Sequence, residues 1–225
     1  MEHAKDMGLL TKAMENPAKG INSLSVDSIE RRPWPPKLIE AFRNAYPFQT
    51  RERMLFELML GTGQRIGDCL EMQWSHLVGS DIWVKQNKTK KRLLIPITRE
   101  LSEALSVHRA IWDAAETDHK GLFILQKDMT KTKQPGPWAY RGAAEAMREA
   151  RKQVGAQKFD NHAMRYTAAT ELLRAGCSDE QIAAVTGQSI KMVQHYTRAE
   201  RQKLRARTAQ AKRATFGVAH TREEN

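Results

Sequence analysis

A chain of 225 residues with 37 lysines and arginines against 26 acidic side chains, a formal charge of +11 and a pI near 9.8, points to a polyanionic partner. Each cation set on a phosphate releases condensed counterions, so nucleic acid suits this surplus better than an anionic membrane surface does. The length allows one domain with appendages or two small ones, and with no apolar leader and no long uncharged apolar run, neither a signal peptide nor a membrane span is expected.

Residues 1–15 read as a helix, with Leu9, Leu10 and Met14 at roughly helical spacing, ended at Asn16 because Pro17 restricts the residue before it. This opening is either a complete N-terminus or the remnant of another domain. Residues 20–36 show no period and close on R-R-P-W-P-P, whose prolines stiffen the chain into a linker. A helix starts at Lys37 with Leu38, Ile39, Phe42 and Tyr46. Another runs over about 51–60, where Met54, Leu55, Leu58 and Met59 make the buried face.

The glycines of Gly61-Thr62-Gly63-Gln64-Arg65-Ile66-Gly67-Asp68 break that helix and restart it. Ile66, Cys69 and Leu70 can pack inward, which leaves Arg65 projecting from a rigid junction. Asp68, three residues on, can hold its guanidinium by a charge-assisted hydrogen bond. Cys69 and Cys177 have neither disulfide nor metal-knuckle spacing, so they read as reduced core thiols in a cytoplasm.

From Asp81 the period becomes two: Ile82 and Val84 alternate with polar residues, and Leu93, Ile95 and Ile97 alternate after a turn, which predicts a β-hairpin. Its tip, residues 85–92, carries five positive charges (Lys85, Lys88, Lys90, Lys91 and Arg92) and no acid. Such a tip either lies along a nucleic-acid backbone or guards a sheet edge. A helix follows through Leu101, Ala104, Leu105, His108, Ile111 and Trp112, then an apolar run at 122–125, a polar loop at 126–137 and a helix over 138–154. His108 and His119 have no partner at ligand spacing and default to core or surface roles.

Asn161 starts a further helix, on which His162 and Arg165 are three apart and share a face. Ser178 with Gln181 makes a capping box for a helix to Val185, which Gly187 terminates. The last pattern begins near Ser189 and runs to about Ala214, with Ile190 and Val193 as an apolar stripe and Tyr196 free of it. Residues 198–213 hold seven lysines or arginines and one acid, Glu200. No glycine-rich nucleotide cradle and no magnesium-binding carboxylate cluster is present, so no metal or other cofactor is expected.

The order of an arginine, a hairpin lysine, H-x-x-R and a tyrosine about thirty residues later resembles the tyrosine recombinases, or phage-type integrases. The matching stretches are T-G-Q-R-I-G-D around Arg65, N-K-T-K-K-R-L-L-I-P-I around Lys88, H-A-M-R at 162–165 and H-Y-T-R around Tyr196, and the likeness spans about residues 34–198. It implies a mainly α fold with a small antiparallel β-sheet, the DNA breaking–rejoining catalytic fold. It also divides the chain into a residual helix and linker of an N-terminal domain (1–35), a catalytic domain (36–200) and a basic tail (201–225). By the same resemblance the catalytic set is Arg65, Lys88, His162, Arg165 and the nucleophile Tyr196, with Asp68 in support and Lys85, Lys90, Lys91 and Arg92 on DNA. The implied partner is double-stranded DNA held by a homotetramer on paired sites, with tails exchanged between neighbours or tracking DNA.

Two positions depart from the family pattern. Gln188 follows Gly187 where a histidine or tryptophan is usual; it can donate a hydrogen bond to phosphate but cannot transfer a proton. The gap from there to Tyr196 is one residue short. His195 is the poorer replacement, because adjacent helix positions point about a hundred degrees apart.

The chemistry follows from the residue types. Guanidinium forks from Arg65 and Arg165 can neutralise a phosphodiester bidentately. A phenol with a pKa of about 10 in water needs a cationic setting or a base such as His162 to attack. Lys88 on its hairpin is the acid for the leaving hydroxyl. The resemblance implies a 3′-phosphotyrosyl link that conserves bond energy without ATP, and hence site-specific recombination. Two other functions use the same fold: a DNA-binding module with weakened catalysis, for which Gln188 is the motive, and a type IB topoisomerase.

Overall fold

The structure is a computed structural model and describes residues 32–114, 122–127 and 136–223, with side chains as far as Phe216. All of these lie in one of two units, Arg31–Asn225. The helix expected over 1–15, most of the linker, and His119 fall outside the described residues.

Helix α1 (Pro36–Ala45) places a proline at its first position, where no amide hydrogen is needed, and buries Ile39 and Phe42 three residues apart. Helix α2 (Arg51–Thr62) starts at Thr50, whose hydroxyl accepts the Arg53 N–H. Sequence periodicity predicts one buried face for α2, but Phe56, Glu57 and Leu60 are buried as well. The reason is its position: helices from several sides pack on it and make it the central element. Trp34 meets Phe42 and Phe56 edge-on, and Phe42 stacks on Phe56 at 4.2 Å. Glu57, fully enclosed, is neutralised by Arg53 at 2.7 Å and Arg43 at 2.9 Å. A buried carboxylate persists only with such partners.

Left-handed Gly63 (φ +63°) ends α2, and Arg65 caps the short helix α3 (Ile66–Leu70). A three-stranded antiparallel sheet follows in the order β1 (Leu77–Val78), β2 (Asp81–Lys85), β3 (Arg92–Pro96). Ile82 pairs with Ile95 and Lys85 with Arg92. Ile82, Val84 and Ile95 face the core while Trp83 and Leu94 face outward, as the alternation predicts. Strand β1 is too short to show a period and is not legible in sequence.

Helix α4 (Arg99–Ala114) buries Leu101, Ala104 and Leu105, and α5 (Tyr140–Gln153) buries Ala143, Met147 and Ala150. Between them the apolar run pairs through single bridges, Phe123 with Gln73 and Gln126 with Pro137. Helix α6 is Ala163–Arg174, two residues shorter at its start than the sequence suggests. The Asp160 carboxylate takes the Ala163 N–H at 2.7 Å, and His162 becomes the cap rather than an interior residue. Both halves of the Ser178–Gln181 capping box are made at the start of α7 (Asp179–Thr186), and Gly187 closes it at φ +69°.

Helix α8 (Ile190–Glu223) is longer than the pattern to Ala214 suggests. Val193 and Thr197 are buried, Arg174 pairs with Glu200 at 2.8 Å, and Arg201 pairs with Asp179. From Arg205 to Phe216 every side chain is exposed. Among the described residues no helix is long and apolar enough to cross a membrane, and Cys69 and Cys177 are free thiols.

Candidate active site

A groove is lined by Arg65, Gly67 and Asp68 from the α2–α3 junction, Asn87 and Lys88 from the hairpin tip, and His162 and Arg165 from α6. Tyr140, Arg141, Arg148 and Arg151 of α5 form its other wall. These last cations escape the sequence reading, although Arg141, Ala144, Glu145 and Arg148 keep helical spacing along one face. Residues up to a hundred positions apart thus converge on one concave, cationic surface.

Arg165 is 1% exposed. One terminal nitrogen donates to the Gly63 carbonyl at 2.7 Å and, at 3.4 Å, to Gln64 Oε1, while its Nε has no partner among the described residues. Burial, with the nearby Arg65 charge adding to it, lowers its pKa to about 10. Two guanidinium groups crowded this way favour any anion that enters between them.

Asp68 does less for Arg65 than its spacing predicts. They form an ion pair at 3.6 Å, and neither Arg65 Nη1 nor Asp68 Oδ2 makes a hydrogen bond among the described residues. The other carboxylate oxygen instead accepts the Asn87 N–H at 2.8 Å. The hairpin tip folds back over α3, and its backbone amide reaches the buried carboxylate in better geometry than the guanidinium does.

Tyr196 projects from α8 and meets the groove through His162, whose Nε2 lies 2.8 Å from the phenol oxygen. The phenol is also clamped by Tyr166, with ring centroids 3.5 Å apart and planes 11° from parallel. Tyr166 stands inside the 161–167 stretch, but only the packing of α6 on α8 brings the rings together. His195 is exposed, tilted 6.0 Å from Tyr196, and faces a different groove with Lys191, Arg198 and Arg201.

Gln188 is 7% exposed, and neither its Oε1 nor its Nε2 has a partner among the described residues. A buried amide without partners carries a desolvation cost of about 1–3 kcal/mol, which a ligand oxygen would relieve. The basic tip residues divide. Lys90 is exposed and holds a left-handed φ of +57°, and Lys85 and Arg92 flank Trp83 and His76 on the outer sheet face. Lys91 is exposed as well, and its Nζ donates to the Gly187 carbonyl at 3.2 Å, which ties the tip to the end of α7.

Similarity to known proteins agrees with this geometry. The tyrosine recombinase XerC of Bacillus subtilis (strain 168) is 26% identical over 177 residues, which are 75% of this chain and 56% of the relative. The integrase of Escherichia phage lambda is 46% identical over 44 residues, 20% of this chain and 12% of the relative. The chain therefore spans little more than half of the first relative and far less of the second. In fold it is similar to a lambda integrase dimer bound to a COC′ core site (TM-score 0.62, 24% identity, 87% of this chain and 55% of that one). It is similar as well to the XerA recombinase (TM-score 0.61, 24% identity, 78% and 61%). Residues 36–203 match the phage integrase family across most of the chain, and the protein belongs to that family.

Proposed function

We propose that this chain cleaves and rejoins double-stranded DNA in site-specific recombination, with Tyr196 as nucleophile and no metal or ATP in the step. The observation that carries the proposal is the 2.8 Å bond between the Tyr196 hydroxyl and His162 Nε2 beside the cations Arg65, Lys88 and Arg165. The phenol oxygen attacks phosphorus and its proton passes to His162 Nε2. The bond from phosphorus to the 5′ oxygen breaks, and Lys88 supplies the proton that this alkoxide needs. A 3′-phosphotyrosyl link and a free 5′ hydroxyl result, and the reverse reaction with another strand rejoins the backbone.

Arg65 and Arg165 take the charge that gathers on the non-bridging oxygens. The burial and the neighbouring Arg65 charge that lower the Arg165 pKa are offset as that charge develops, so their effect is larger in the transition state than in the empty groove. Gln188 adds a neutral amide donor to the same oxygens, supported by its buried, partnerless head. Lys85, Lys90 and Arg92, with Arg141 and Arg148 of α5, hold the flanking backbone.

On DNA the chain works as a homotetramer in the cytoplasm, with its catalytic domain at 36–200. The similar lambda integrase is known as a tetramer bound to a Holliday junction. The basic end of α8 beyond residue 200 is the segment for exchange between neighbours, supported by the exposed side chains from Arg205 to Phe216.

The test is trapping on a suicide DNA duplex nicked near the scissile phosphate, so that the short fragment bearing the freed 5′ hydroxyl departs after cleavage. The unaltered protein accumulates a covalent adduct. Tyr196→Phe binds the same duplex with unchanged affinity and forms none, and an adduct in that variant would refute the assignment.

A further inference from the structure

Two glutamines outside the chemistry above sit directly behind it. Gln64 is 1% exposed and Gln86 is fully buried. Gln86 Nε2 donates to Gln64 Oε1 at 2.7 Å and to the Thr186 carbonyl at 2.9 Å, while its Oε1 accepts the Thr89 hydroxyl at 2.6 Å. Gln64 Nε2 donates to the carbonyls of Thr62 at 2.9 Å and Val185 at 3.1 Å, and its Oε1 also faces Arg165. Both amides are satisfied in one orientation only, because reversing either sets donor against donor or oxygen against oxygen.

This clasp joins the α2–α3 junction before Arg65, the hairpin around Lys88, Arg165, and the end of α7 before Gln188. Lys88 itself is exposed. Its neighbours are pinned: Asn87 N to Asp68, Thr89 Oγ1 to Gln86, and Lys90 N to the Gln86 carbonyl at 2.8 Å. The approach is close enough that a Cβ on Gly187 would overlap Gln86 Nε2.

We propose that Gln86 is a positioning residue for Lys88: through the Gln64–Gln86 clasp it holds the hairpin tip in register with Arg165, so that the lysine meets the leaving 5′ oxygen. This rests on the reading of Lys88 as the general acid. A fixed acid matters because misplacing a proton donor by about 1 Å costs on the order of a hundredfold in rate. Gln86→Met keeps the side-chain length but removes both donors and the acceptor.

The experiment compares cleavage of two suicide duplexes, one with the natural scissile phosphodiester and one with sulfur in place of its bridging 5′ oxygen. A thiol has a pKa near 8.5, so thiolate departs without a proton donor. Gln86→Met and Lys88→Ala are both expected to slow cleavage of the oxygen duplex, by about a hundredfold or more for Lys88→Ala. On the sulfur duplex both should come within about threefold of the unaltered protein, by the same loss of need for an acid. Thr89→Val, which deletes one bond and leaves both glutamines, should show the same pattern more weakly and stands in if Gln86→Met does not fold. If Gln86→Met and Thr89→Val are equally slow on both duplexes while sulfur restores Lys88→Ala, the glutamine is merely structural and the inference is overturned. If sulfur does not restore Lys88→Ala, the general-acid reading fails first and takes the inference with it.

Discussion

Replacing Gly187 by alanine isolates the close approach between the end of α7 and the hairpin. Gly187 has φ +69°, a left-handed conformation that costs an L-residue roughly 1–2 kcal/mol. An added Cβ would also overlap Gln86 Nε2, which the clasp holds in place, and stand 2.7 Å from Leu93 Cδ1. Overpacking of this kind costs about 1–3 kcal/mol more, for a total of roughly 2–5. Gly176 provides the control, since its φ is +86° and nothing lies within 4 Å of the same added atom. Gly176→Ala should therefore cost the backbone part alone, roughly 1–2 kcal/mol. Urea unfolding of both variants, with slopes equal to that of the unaltered protein, gives the difference directly. If Gly187→Ala is no more destabilised than Gly176→Ala, Gln86 does not press against the end of α7 and the clasp does not reach it.

Three further outcomes are expected. Glu57→Ala should lower unfolding stability by about 3–5 kcal/mol, because Arg53 stays buried without its counter-charge, and chemical denaturation reads this loss. His108 donates from Nε2 to the Thr50 carbonyl at 3.1 Å, and burial holds its pKa below the ordinary 6.5 despite the nearby carbonyls. The folded state then binds fewer protons than the unfolded one, so the His108 contribution is complete above about pH 6.5 and is lost as pH falls through the depressed value. His108→Gln should flatten the decline of melting temperature between about pH 7 and 5; an unchanged decline would reject this role. Lys90→Gly should stabilise the hairpin by about 1 kcal/mol in thermal unfolding by relieving φ +57°. It should also reduce the salt dependence of DNA binding by about one phosphate contact, and an unaltered salt slope would remove Lys90 from the DNA surface.

Much of the fold and the outline of the site can be read from residue order, because the signals are local. Ile82, Val84 and Ile95 follow a two-residue period, Ser178 and Gln181 stand three apart, and glycine is needed where backbone turns left-handed. The motif order Arg65, Lys88, His162, Arg165 and Tyr196 is likewise a property of the linear chain. What local spacing could not decide is which partner each polar group selects. Asp68 accepts from Asn87 rather than hydrogen-bonding Arg65, and Lys91 reaches the Gly187 carbonyl. Gln86 finds Gln64 and Thr186, 22 and 100 residues away, and Tyr166 finds Tyr196 across two helices. Sequence alone determined the elements and the chemical inventory, since hydrophobic periodicity and capping act within a few residues. Tertiary structure decided the partners, since burial removes water as an alternative and leaves each donor and acceptor to whatever distant group the packing brings within reach.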